Sequence, residues 1–161
     1  MLGFETIGNA TLTVFDDIPI LTTDPWIKGK PYFGSWAHKF NIPKKQIENI
    51  ENSKYIWLSH GHPDHIDPES LYLFENKTIL IPDHYGERIF NDLKHKYKCV
   101  KINSNSWFDI SKNVRIKSFA DWNQDACLLI EINKTDIILN LNDGSGLGWS
   151  KTIREIIKNY K

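Results

Sequence analysis

The sequence predicts an α/β fold in which helices are layered on a mixed β-sheet. Three observations support this class: paired β-branched runs near the N-terminus, a central region that alternates short apolar runs with helical segments, and further strand-like runs before a last helix. The chain has 161 residues, enough for one domain with its own core and too few for two domains of usual size. We therefore expect residues 1–161 to form a single domain.

Local signals mark the elements of the first half. β-branched and apolar residues on both sides of the turn-like pair at 16–17 predict a β-hairpin. The segment 28–38 is rich in Gly, Pro and aromatic residues and predicts a loop. A proline at the first position favours the first helix, and Asp67 is a suitable N-cap for the second. The predicted strands are 11–15, 19–23, 55–58 and 78–82, and the predicted helices are 43–50 and 68–74.

The second half continues with one more strand–helix unit and then a group of strands. The last two strands are joined by the turn Asn133-Lys134. A final amphipathic helix places Ile153, Ile156 and Ile157 on one face. The predicted strands are 99–102, 114–119, 126–132 and 136–141, and the predicted helices are 86–97 and 149–160.

The composition shows no excess of basic residues, and the sequence has no apolar run long enough to span a membrane. Twenty Lys and Arg balance twenty Asp and Glu, so no charge excess predicts a nucleic-acid partner. No apolar run approaches the roughly 20 residues needed to span a bilayer, and the N-terminus lacks the pattern of a signal peptide. The two cysteines are expected to be reduced thiols. We expect a cytoplasmic protein with a small-molecule substrate, no nucleic-acid partner and no membrane span.

One motif carries most of the chemical information. Its members follow a predicted buried strand directly and have the spacing H-x-H-x-D-H: His60, His62, Asp64 and His65. At a strand end followed by a tight loop, the first two imidazoles can point toward one ion and the last two side chains toward a neighbouring position. Imidazole and carboxylate suit Zn, Fe, Mn or Ni. The alternative is a polar loop that holds histidines by chance, and the spacing after a buried strand argues against it.

This motif resembles the signature of the metallo-β-lactamase superfamily. The resemblance extends to the segment T-D-P-W at 23–26 and to I-I-L-N-L-N-D-G at 137–144, and covers most of the chain. It implies an αββα sandwich with mixed sheets, a supporting role for Asp24 behind the metal loop, and a bridging role between two metals for Asp143. In amino-acid sequence, these segments are most similar to the metallo-β-lactamase-like part of CMP-N-acetylneuraminate hydroxylase-type proteins.

The sequence departs from the superfamily pattern at two places. Hydrolases of the superfamily have a third His before the strand that here begins near residue 126, and this chain has none there. Asp121 or Asp125 could replace it as a carboxylate ligand, and both could equally be ordinary loop residues. The final His of the pattern is also missing, so the expected fold is incomplete at the C-terminus by the standard of the family. We expect a homo-oligomer or completion by another chain.

The resemblance implies a metal-dependent hydrolase of a small ester, lactone or phosphoester that uses a metal-activated water. Asp64 would hold or orient that water as the catalytic residue, and His84 could line the substrate pocket or be a surface residue. One or two divalent ions are expected, with zinc preferred over iron or manganese. Two alternatives stay open: an iron-dependent hydroxylase-like domain acting on a nucleotide sugar, and a non-catalytic binding or assembly module with a degenerate metal site.

Overall fold

Two β-sheets pack face to face in the computed structural model, and helices cover the outer face of each. The structure describes residues 1–120, 125–144 and 149–159. The order of layers is therefore helix, sheet, sheet, helix, and the predicted α/β class with αββα layering is confirmed.

The first sheet has six strands and is mixed. It starts with an antiparallel meander, β1 to β3, and continues with β3 to β6 in parallel, in the spatial order β1-β2-β3-β4-β5-β6. Parallel neighbours place their C-terminal ends at one edge of the sheet. The strands are β1 Leu2–Gly8, β2 Thr11–Asp16, β3 Ile18–Thr23, β4 Tyr55–Trp57, β5 Thr78–Pro82 and β6 Lys98–Ile102.

The second sheet has four described strands in the order β10-β9-β8-β7, and all of its neighbours are antiparallel. The turn between β9 and β10 places Asn133 at φ 53° and Lys134 at φ 61°. Two successive residues with positive φ give the tight turn that the sequence predicts. The strands are β7 Trp107–Asp109, β8 Val114–Ala120, β9 Ala126–Ile132 and β10 Asp136–Asn140.

Helices cover each sheet through separate apolar clusters. α1, α2 with its 3₁₀ extension Tyr72–Phe74, and α3 pack on the first sheet, whereas α4 packs on the second. Ile156 is buried against that sheet, but Ile157 is 48% exposed, so the prediction that Ile157 shares the packed face is wrong. Across the described residues, no helix is long and apolar enough to cross a membrane. The helices are α1 Lys44–Asn52, α2 Pro68–Leu71, α3 Arg88–Leu93 and α4 Ser150–Asn159.

The largest apolar cluster lies between the sheets. Its fully buried members include Val14, Leu21 and Trp57 from the first sheet and Ile116 and Leu128 from the second. Because side chains alternate between the two faces of a strand, the same strands also send residues to the outer helices. Ile56 and Ile79, for example, pack under the helices of the first sheet.

Two strands of the structure are absent from the sequence prediction, and one helix is shorter than predicted. β1 lies at the edge of its sheet with residues of low burial, and β7 has only three residues. Neither carries the apolar run by which buried strands are recognised. The helix predicted over 86–97 is α-helical only from Arg88 to Leu93. Gly86 at φ 78° and Glu87 at φ 53° precede it, so the chain before Arg88 is not helical.

An apolar groove of about 600 Å³ separates the two edge strands β1 and β10. Leu2 and Phe4 line it from one sheet, and Ile132 and Ile138 line it from the other. Phe4 is 52% exposed. The groove is a surface on which the expected association could occur, and the oligomeric state stays a prediction.

Replacing Gly29 with alanine is expected to destabilise the fold by about 1–3 kcal/mol more than the same change at Gly34. Both glycines have positive φ, 80° and 87°, so alanine carries a similar backbone cost at each. A Cβ at Gly34 meets open space, whereas one at Gly29 would lie 2.7 Å from Cγ of Asp67. That carboxylate accepts the Ser70 backbone N–H at 2.8 Å as the N-cap of α2. Urea unfolding of both variants measures the difference, and equal losses would contradict this expectation.

Candidate metal centre

The motif loop leaves the C-terminal end of β4, within the parallel part of the first sheet. β3 ends beside it at Thr23, and the backbone N–H of the next residue, Asp24, donates to the carbonyl of Trp57 at 2.8 Å. The backbone N–H groups of His65 and Ile66 both donate to the carbonyl of His62, which closes a turn. The end of β10 brings Asp143 to the same edge, as its contacts with the motif histidines show. Ligand sites commonly form where parallel strands end.

The first half of the site is a pair of histidines that face one carboxylate oxygen. Nε2 of His60 and Nδ1 of His62 each lie 3.3 Å from Oδ2 of Asp143. The two nitrogens are 2.7 Å apart. Neighbouring ligand atoms around a tetrahedral zinc ion lie about 3.3 Å apart, because each is about 2.0–2.1 Å from the metal. The distances to Asp143 match that spacing, and the nitrogen–nitrogen distance is shorter.

The second half uses the other oxygen of the same carboxylate. Nε2 of His65 lies 3.6 Å from Oδ1 of Asp143 and 3.5 Å from Oδ2 of Asp64. Asp143 therefore faces His60 and His62 with one oxygen and His65 with the other, and His65 in turn lies near Asp64. His60, His65 and Asp143 also offer ligand atoms that all lie within 4.8 Å of one another.

Asp24 supports the site from inside the protein. It is completely buried, and its Oδ1 accepts the Ser59 backbone N–H at 2.7 Å. Its Oδ2 lies 3.3 Å from Nδ1 of His65. A carboxylate behind a metal-ligating histidine fixes the orientation of the ring and leaves the other nitrogen toward the ion. The structure places Asp24 beside His65 and Ser59, and its supporting role stays a prediction.

Two groups of the site, His60 and Asp64, have the protonation states of metal ligands. Burial, with the nearby His65 and His62, lowers the pKa of His60 to about 4, so its imidazole is neutral at pH 7. Burial favours the neutral form of Asp64, but hydrogen bonds from Asn9 and Tyr32 outweigh it, and the pKa of this carboxyl is lowered. Neutral imidazoles and ionised carboxylates are the forms that bind metal ions. Burial favours the neutral form of His65, but Asp24, Asp64 and Asp143 outweigh it and raise the pKa of this imidazole, so metal binding there would release a proton.

One buried atom is compatible with an ion in the site. Nε2 of His65 has almost no exposed surface and no hydrogen-bond partner, although it faces the two carboxylates of Asp64 and Asp143. Buried polar atoms are nearly always paired, so an orphaned nitrogen requires an explanation. A cation between this nitrogen and the carboxylate oxygens would supply its partner.

The remaining site predictions have different outcomes. Asp125 lies near the site, but its Oδ1 is 3.5 Å from Nδ1 of His60, the nitrogen on the side of the ring away from Asp143. This position suits a carboxylate that orients His60 more than it suits a metal ligand. Asp121 lies outside the described residues. The side chain of His84 is 4% exposed, so little of it is available to line an open pocket.

Sequence reasoning missed two residues that hold Asp64. Asn9, in the turn between β1 and β2, donates to Oδ2 at 2.9 Å, and the hydroxyl of Tyr32 donates to Oδ1 at 2.8 Å. Burial and the hydrogen bond to Asp64 raise the pKa of Tyr32 to about 12, so its hydroxyl stays a donor. Both residues are distant from the motif in sequence, and neither has a spacing that signals this role.

Sequence comparisons relate the chain to part of larger proteins. It is 28% identical over 128 residues to the cytidine monophosphate-N-acetylneuraminic acid hydroxylase of Asterias rubens. The matched region covers 78% of this chain and 17% of that protein. The hydroxylase of Xenopus laevis is 28% identical over 130 residues, with 74% and 22% covered. The chain thus spans about a fifth of the length of these relatives. No family model matches it.

Solved structures share the fold at low sequence identity. A possible metal-dependent hydrolase from Veillonella parvula has a TM-score of 0.75 and 11% identity, covering 99% of this chain and 68% of that one. CmlA, a diiron β-hydroxylase from Streptomyces venezuelae, has a TM-score of 0.68 and 14% identity, with 96% and 32% covered. The chain has a metallo-β-lactamase-like fold, as its resemblance to that superfamily predicts.

Proposed function

We propose that this chain is a metal-dependent hydrolase of a small ester, lactone or phosphoester. The observation that carries the proposal is the position of Asp143, whose Oδ2 faces His60 and His62 and whose Oδ1 faces His65, which also lies near Asp64. His60 and His62 would hold an ion on one side of this carboxylate, and Asp64 and His65 would hold one on the other. The hydrolases among the structural neighbours support this class of reaction.

A divalent ion in such a site acts as a Lewis acid and lowers the pKa of water from 15.7 to about 7. The ligand set of imidazoles and carboxylates is one that zinc accepts, and manganese and iron accept it as well. We propose zinc as the first choice. The orphaned Nε2 of His65 and the neutral His60 are the features of the chain that fit it.

Asp64 is the residue that we propose for orienting the attacking water. Its lowered pKa keeps the carboxylate ionised at neutral pH. Hydrogen bonds from Asn9 and Tyr32 fix the plane of the group, so its oxygens cannot rotate away. A carboxylate held in one orientation can orient the water that a metal ion in this site would bind.

Hydrolysis by the reconstituted protein is the first test. Protein loaded with Zn, Mn or Fe should cleave at least one member of a panel of phosphodiesters, lactones and simple esters. His62→Ala and Asp64→Ala should each lower that activity at least about 100-fold, because each removes a group that holds the metal or the water. His95→Ala, at an exposed position, is the matched control and should retain full activity. Equal activity in the wild-type protein and both site variants would reject the proposal.

A second candidate is iron-dependent hydroxylation, in which the chain would hold iron and act on a nucleotide sugar. Its support is that the relatives include two hydroxylases similar in sequence and a diiron β-hydroxylase similar in structure. A third is a binding or assembly module with a partial site. Metal analysis of the purified protein separates them: zinc or manganese favours hydrolysis, iron favours hydroxylation, and no retained metal favours the module.

A further inference from the structure

We infer that Tyr32 is a positioning residue for Asp64. Its hydroxyl holds one carboxylate oxygen, so that the other oxygen faces His65. This inference rests on the proposed metal site and adds to it the residue that sets the orientation of one of its carboxylates. Tyr32 itself lies in the loop 28–40 between β3 and α1 and is not a member of the motif.

The two carboxylate oxygens of Asp64 have different contacts. Oδ1 accepts from the Tyr32 hydroxyl at 2.8 Å. Oδ2 accepts from the side chain of Asn9 at 2.9 Å and lies 3.5 Å from Nε2 of His65. A carboxylate oxygen has two lone pairs, so Oδ2 can accept from Asn9 and also face an ion. Without the bond to Oδ1, the group could rotate about the Cβ–Cγ bond and turn Oδ2 away from His65.

The backbone around Tyr32 adopts an uncommon conformation to reach this position. Tyr32 has φ 54° and Phe33 has φ 58°, two successive non-glycine residues in the left-handed region. Each costs roughly 1–2 kcal/mol relative to ordinary conformations. Such residues persist where surrounding structure imposes them, and they cluster at functional sites. The backbone N–H of Gly34 donates to the carbonyl of Lys30 at 3.0 Å and closes the loop around them.

Packing of the ring explains how the loop keeps the hydroxyl in place. The rings of Tyr32 and Trp36 are 4.8 Å apart at their centroids, and the hydroxyl of Ser35 donates to the Tyr32 carbonyl at 2.7 Å. These contacts involve the ring and the backbone and do not need the hydroxyl. Tyr32→Phe therefore removes the bond to Asp64 and preserves the loop packing.

Zinc affinity of Tyr32→Phe tests the inference. We expect binding to weaken about 10- to 100-fold, the usual effect of removing a group that orients a metal ligand. Tyr72→Phe is the matched control. It removes the hydroxyl of an exposed tyrosine in the 3₁₀ helix that packs on the first sheet, and it should leave the zinc affinity unchanged. In an Asp64→Ala background, Tyr32→Phe should cause little further loss, because the residue it acts through is gone.

The outcomes separate this inference from the proposed function. If the wild-type protein binds zinc and Tyr32→Phe binds it equally well, the positioning role is wrong while the metal site stands, whatever happens to thermal stability. If Tyr32→Phe weakens binding as much in the Asp64→Ala background as alone, it acts by another route and the inference is also wrong. If the wild-type protein binds no zinc, manganese or iron, the proposed function itself fails.

Discussion

Replacing Asp143 with alanine is expected to lower hydrolytic activity about 1,000-fold and to weaken metal binding more than the loss of any single histidine. The reason is that one oxygen of Asp143 faces His60 and His62 and the other faces His65, which also lies near Asp64. A metal ion contributes several kcal/mol to the stabilisation of charge, and about 4 kcal/mol corresponds to about 1,000-fold in rate.

This variant gives an unusually clear result because the side chain of Asp143 is 51% exposed. Exposed substitutions usually change stability by no more than about 0.5 kcal/mol, so a loss of activity would not reflect unfolding. Asp136→Ala, at an exposed position at the other end of β10, is the control for removing a surface carboxylate. Activity and metal content in Asp143→Ala that equal those of Asp136→Ala would show that the carboxylate does not join the two pairs.

Asp24→Ala is expected to have the largest effect on stability, a loss of about 3–5 kcal/mol in the free energy of unfolding. Asp24 is completely buried and accepts the Ser59 backbone N–H at 2.7 Å. Alanine leaves that donor and Nδ1 of His65 without this carboxylate, and it must also adopt φ 39°. For a chain of this length, each kcal/mol corresponds to about 2–4 °C in the midpoint of thermal unfolding.

Asp24→Asn separates stability from ligand orientation. Asparagine is tolerated at positive φ, and its carbonyl oxygen can still accept from Ser59, so most of the stability should remain. Its amide would donate to Nδ1 of His65, which favours the proton on Nε2, the nitrogen that faces Asp64 and Asp143. Metal affinity should therefore fall about 10- to 100-fold although the protein stays folded. An Asn variant with unchanged metal affinity would contradict the supporting role of Asp24.

The elements with strong apolar patterns were predictable from sequence. β5 and β9 occur at the predicted residues, and Asp67 caps α2 as expected because it is followed by a proline and a helical pattern. Elements that owe their formation to tertiary contacts were not predictable. β1 carries two glycines and little burial, and it forms a strand because it pairs along its length with β2.

The same distinction applies to the candidate site. The motif residues, Asp24 and Asp143 follow from spacing and from the superfamily resemblance. Tyr32 and Asn9 do not, because their hydrogen bonds to Asp64 depend on how a loop and a hairpin turn fold back over the motif. The position of Asp125 behind His60 also required coordinates, since sequence order alone did not show which ring nitrogen it faces.

A crystal structure of the protein grown with saturating zinc is the most direct test of the metal centre. We expect anomalous density on one or both sides of Asp143, about 2.0–2.1 Å from the Nε2 atoms of His60 or His65. Oδ2 of Asp143 should coordinate a zinc ion held by His60 and His62, and Oδ1 should coordinate one held by Asp64 and His65. Ordered motif side chains with no zinc within about 2.5 Å of any of these atoms would contradict a metal centre at this position.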